Sequence, residues 1–187
     1  MRFFYAIMAA IVALALWWAP ASAQEVSVTG VRVQNDRLII SSTLTLEPAQ
    51  VDEIVKGVEK EIIFYIDLFR DWRNWPDEFM VGQAITRTLR CDPVKKEYVA
   101  TSLMGRRLTE RRFSDCYAMI AWALALKDIQ IIGTAGLEPA EYYIKTTVES
   151  KIRYLPPFID LLFFFVEDTE YKITDESAHF PLGLPNE

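Results

Sequence analysis

The stretch Val58–Trp72, VEKEIIFYIDLFRDW, constrains this chain more than any other. Ile62, Phe64, Ile66 and Leu68 fall at alternate positions and are all apolar. The interleaved Glu61, Ile63, Tyr65, Asp67, Phe69 and Asp71 are half polar. A period of two belongs to a strand with one face buried and the other partly wet. The run is long enough for a helix, but its aromatic and β-branched content, with Gly57 just ahead, favours a strand. Such a strand needs cover. The expectation is a mainly β fold, an antiparallel, immunoglobulin-like β-sandwich with one short and one longer helix.

The flanking segments supply the cover. Glu25 to Leu46 reads as a hairpin: Val26 and Val28 share one phase, Val31 and Val33 the other, and the change at Gly30 marks a β-bulge. Asn35–Asp36 makes the turn, since both tolerate positive φ. Glu47 to Gly57 reads as a short helix with Pro48 in its first turn and Gly57 as its stop. After the polar turn RDWRNWPDE come strands at Phe79–Cys91, Glu97–Leu103 and Arg106–Arg112. Ser114 and Asp115 can cap a helix over Cys116–Lys127, apolar nearly all round and so buried. Gly133 to Pro139 is loop. Glu141 to Tyr154 alternates cleanly, with Lys145, Thr147, Glu149, Lys151 and Arg153 on a wet face. The run Phe158–Val166, FIDLLFFFV, is too short to span a bilayer, which takes ~20 residues, and the acidic tail to Glu187 reads as irregular.

The N-terminus carries an address. Phe3 to Trp18 is an uninterrupted apolar run of 16 residues after Arg2, followed by Pro20 and the small-residue site Ala21-Ser22-Ala23. This is the pattern of an export signal helix spanning 1–23, cleaved between Ala23 and Gln24. An uncleaved membrane anchor is the alternative. The remaining 24–187 has the length of a single domain with a C-terminal tail. Losing Arg2 with the leader takes the net charge from −6 to −7, so no nucleic-acid binding is expected from the overall field. The expected location is the periplasm. Cys91 and Cys116, the two cysteines, then form a disulfide candidate in an oxidising compartment; two buried free thiols are the other reading.

Catalytic signals are weak. The single His179 lies in a polar stretch and reads as a surface residue. One His and two separated Cys do not make a zinc site, no C-x-x-C is present, and the seven glycines are scattered rather than gathered in a phosphate loop. No cofactor, metal or catalytic residue is assigned. Carboxylates such as Asp67 and Asp160 leave a glycosidase-type pair open. Trp72 and Trp75 in their polar turn, and Phe163, Phe164 and Phe165 in the apolar run, are candidates for a partner surface. Charge is uneven: Arg87 to Arg112 is basic and Asp160 to Glu187 acidic. The basic stretch could face an anionic partner, or could be covered by the tail or simply solvated.

Four segments together resemble a known family. They are IVKGVEKEIIFYIDLFRDWRNW, RTLRCDPVKKEYVAT, RRFSDCYAMIAWAL and YYIKTTVESKIRYLP. The order resembles that of exported bacterial proteins of unknown function, often encoded near sensor kinases of the nitrogen-regulation type. The resemblance implies an envelope protein and a signalling link, and brings no catalytic residues with it. The expected function is a non-catalytic periplasmic binding module of the cell envelope whose partner is an envelope protein or lipid. The alternatives are a regulatory partner of a membrane sensor kinase and a carboxylate-dependent hydrolase of envelope polymer.

Overall fold

The computed structural model describes residues 24–152 and 169–183. It is mainly β, with two packed antiparallel sheets. The smaller sheet has the order β1-β2-β7, from β1 (Glu25–Gln34), β2 (Arg37–Thr45) and β7 (Ala125–Gly133). The larger runs β10-β8-β3-β4-β5-β6, with β9 also paired to β8. Its strands are β3 (Lys60–Arg70), β4 (Glu78–Asp92), β5 (Glu97–Met104), β6 (Arg107–Arg112), β8 (Ala140–Ile152), β9 (Thr169–Glu176) and β10 (Phe180–Leu182).

β3 is central, flanked by β4 and β8. Ile62, Phe64, Ile66 and Leu68 are wholly buried, as their alternation requires. They share one core with Val26, Leu38, Ile40 and Leu44 of the smaller sheet. The hairpin is as read: the register shifts between Val28 and Gly30, and Asn35 and Asp36 turn with φ of 51° and 56°. Ser42 breaks the apolar phase of β2, yet it is buried, and its hydroxyl donates to the Ser27 carbonyl at 3.0 Å. Burying a hydroxyl needs such a partner.

Two short helices sit at the edges of the core. α1 (Pro48–Val55) buries Gln50 and Ile54, and Gly57 ends it at φ 101°. α2 (Cys116–Leu124) starts where Asp115 accepts the Ala118 N–H at 2.8 Å. That bond holds the Asp115 carboxyl below the usual carboxylate range.

Two expectations are corrected. The helix expected to reach Lys127 ends at Leu124, and the next residues form β7 on the free edge of β2. Asp128, at φ 57°, bulges opposite Ser41, and its N–H donates to the Ser41 hydroxyl oxygen at 3.3 Å. The bulge shifts the phase between Leu126 and Ile129, which hides the strand from an alternation test. The tail is not irregular either. β9 and β10 both add to the edge of β8. The described acidic tail is therefore separated from the basic β6 by β8, β3, β4 and β5. It does not cover the basic strands. All six residues of β6 are exposed, and its charges suit an open edge.

Candidate binding sites

Strand alternation sends Ile85, Arg87, Leu89 and Cys91 of β4 inward, so a guanidinium stands where the pattern calls for a hydrophobe. Arg87 is 7% exposed. α2 lies against it and supplies two contacts from a single residue. Arg87 Nη1 donates to the Trp122 carbonyl oxygen at 3.2 Å, and its Cζ sits 3.8 Å from the indole centroid. Burial pulls the Arg87 pKa down to about 10, because the charged form loses water. Its Nε has no hydrogen-bond partner among the described residues. Beside it opens a cavity of about 450 Å³ lined by Arg87, Arg111, Ala121, Trp122, Ala125 and Lys127. Arg111 comes from β6, over the rings of Phe113 at 5.2 Å and Trp122 at 5.8 Å, and Lys127 comes from β7.

A second inward cation is treated differently. Lys60 lies in phase with Ile62 at the start of β3 and is 1% exposed. Its ammonium meets Glu170 of β9 at 2.7 Å and Glu53 of α1 at 2.7 Å. Glu170 also accepts from the Ser150 hydroxyl at 3.2 Å. This triad ties helix, central strand and tail together.

The third place is on the outer face, at the far end of β3. Phe69 stacks on Tyr143 at 5.4 Å, and Tyr143 on His179 at 5.0 Å; Phe79 meets Phe69 edge-on at 5.7 Å. The Tyr143 hydroxyl donates to Asp77 Oδ2 at 2.9 Å, and His179 Nδ1 lies 3.1 Å from Asp71 Oδ2. Burial, then Asp77, pushes the Tyr143 phenol up to about 12. Arg70 lies 4.4 Å from the Trp72 ring centroid, and Trp72 Nε1 donates to Glu78 at 3.2 Å. On this base Trp72, Trp75 and Phe79 are 42%, 76% and 57% exposed. Trp72 and Trp75 thus lie at an aromatic end that also gathers Phe79, Tyr143 and His179. His179 had read as a surface residue; its side chain is about half exposed and held by ring and carboxylate.

Cys91 and Cys116 are both buried and are present as free thiols. They are close enough to interact: burial first, then Cys91, raises the Cys116 thiol to about 12. Cys91 Sγ also lies 3.6 Å from the Val55 carbonyl oxygen. Asp67 sits on the outer face opposite Gly82, where burial raises its carboxyl and Lys145 opposes the shift. Phe163, Phe164, Phe165, Asp160 and the Ala23 side of the Ala23–Gln24 junction lie outside the described residues. Among the described residues no group of three His, Cys, Asp or Glu side chains is placed to hold a metal ion, and no helix is long and apolar enough to cross a membrane.

The arrangement defines a class: a mainly β, two-sheet antiparallel domain with an inward basic cavity under its second helix and an exposed aromatic end. Residues 21–177 match the family model described as a domain of unknown function, DUF4390, and the chain belongs to that family. No curated protein and no solved structure matches it.

Proposed function

We propose that this chain is a non-catalytic interaction module of the bacterial cell envelope, exported to the periplasm, that docks on an envelope protein through its aromatic end. The observation that supports this reading is the exposure of Trp75 and Phe79, with Phe79 edge-on to Phe69 of the Phe69–Tyr143–His179 stack. Aromatic anchors on a rigid base lose little conformational entropy on docking and carry much of the energy of an interface. The stack is fixed below by the Tyr143–Asp77 and His179–Asp71 contacts.

The test is a photo-cross-linking residue placed at Trp75 in living cells, with fractionation of the envelope. A discrete protein adduct that disappears in a Phe79→Ser background is expected. Capture of a membrane sensor kinase would assign the regulatory role implied by the resemblance. Absence of any adduct, or recovery of the chain from the cytoplasm, overturns the proposal.

A further inference from the structure

The two inward cations of the larger sheet pose one physical problem, and the fold solves it only once. Lys60 is neutralised by Glu53 and Glu170. Arg87 is flanked on its strand by the buried Ile85 and Leu89, yet it has a carbonyl and an indole where a carboxylate would be expected. A buried charge without a counter-charge is costly, because its lost hydration is not replaced. The indole does not supply that charge. Trp122 fixes the plane of the guanidinium, and its carbonyl occupies Nη1. Nε is buried and without a partner among the described residues. Among them the guanidinium as a whole still lacks an anion to balance its charge.

The surroundings point the same way. Arg111 and Lys127 line the same cavity from two other strands, and no acidic side chain is among its lining residues. The chain as a whole is acidic, at −6, so this is a local concentration of positive charge and not a general field. We propose that the cavity beside α2 is an oxyanion site that takes a phosphate group, held and neutralised by Arg87, Arg111 and Lys127. Phosphate suits three cations better than a carboxylate does, since it offers acceptor oxygens in three dimensions, and a monoester adds a charge of about −1.5 to −2 near neutral pH. The volume of about 450 Å³ exceeds what a bare ion fills, given ~30 Å³ per liquid water. The phosphate therefore arrives on an organic body: a soluble phosphate ester or the phosphodiester of a lipid headgroup. This site lies on the inner face of β4, away from the aromatic end, and does not rest on the docking proposal.

The experiment uses protein purified from cells expressing the full chain. Calorimetric titration with glycerol 3-phosphate forms one arm, and binding to phosphatidylglycerol vesicles against phosphatidylcholine vesicles the other. Saturable binding is expected in at least one arm. Glycerol phosphate alone assigns a soluble ester; anionic vesicles alone assign a headgroup. Arg87→Met should weaken binding at least tenfold, and Lys127→Glu several-fold. Lys127 is exposed, so its variant folds whether or not Arg87→Met does. Failure to bind in both arms, or wild-type affinity in either folded variant, overturns the site.

Discussion

The guanidinium of Arg87 lies 3.8 Å from the indole centroid of Trp122 while donating to that residue's own carbonyl at 3.2 Å. One residue of α2 thus grips one residue of β4 at both its ring and its backbone. The grip orients the arginine without neutralising it, and this has a consequence for stability. Methionine at position 87 fills similar space without a buried charge. Arg87→Met should leave the ligand-free protein as stable or more stable by about 1 kcal/mol. The desolvation relief outweighs the ~0.5–2 kcal/mol of cation–π contact that is lost. Urea unfolding measures it; a loss above about 2 kcal/mol would mean the arginine is a structural necessity.

Lys60 should behave in the opposite way. Removing it leaves Glu53 and Glu170 facing each other without their shared cation. Lys60→Met should cost about 3 kcal/mol, in the range for breaking a buried pair from one side. Equal stability of the variant would show that the triad contributes nothing.

The thiol pair makes a prediction in pH. The Cys116 thiol is raised from its ordinary 9.0 to about 12 in the folded chain. Folding therefore favours the protonated thiol. This contribution is fully present below about pH 9 and is lost as pH rises towards 12. In the reduced native protein, both cysteines should resist iodoacetamide at pH 8 and react once urea unfolds the chain. Under mild oxidation the neighbours should close a disulfide, and the 24 residues between them imply ~3 kcal/mol of stabilisation in the chain-entropy picture. Intact-mass measurement with and without reductant decides it.

Changing Trp75 to Ser should move stability by less than about 0.5 kcal/mol, as for exposed positions without special contacts. Gly57→Ala should cost more, about 1 kcal/mol or above. Its φ of 101° is strained for any side chain, and an added Cβ would lie 3.3 Å from the Cys91 carbonyl oxygen. Thermal melts of the two variants separate a surface aromatic from a backbone requirement.

What could be read in the sequence is what is local. The faces of β3, the bulge at Gly30, the Asn35–Asp36 turn and the stop at Gly57 each follow from a few neighbouring residues. β7 could not be read this way, because its apolar residues change phase at Asp128 and follow an apolar helix with no breaker between. β9 was masked by its charge, although Tyr171 and Ile173 alternate as a strand requires. The cavity was partly visible: Arg87 stands between Ile85 and Leu89 in a buried phase, a signal available from alternation alone. Its meeting with Trp122, Arg111 and Lys127 depends on four separate elements and could come only from the fold. The aromatic end was half visible, since Trp72 and Trp75 stand out in their turn, while Tyr143 and His179 arrive from far along the chain.

The tie between the first strand and the ninth has a kinetic meaning. The Val28 N–H donates to Asp175 Oδ2 at 3.0 Å across 147 residues, and β9 pairs with β8, which in turn pairs with β3. Contacts this distant in sequence close slowly. A ribosome must therefore make the chain as far as Asp175 before Val28 can find this partner. Until then that edge of β1 lacks its last neighbour and stays open to other partners, a chaperone among them.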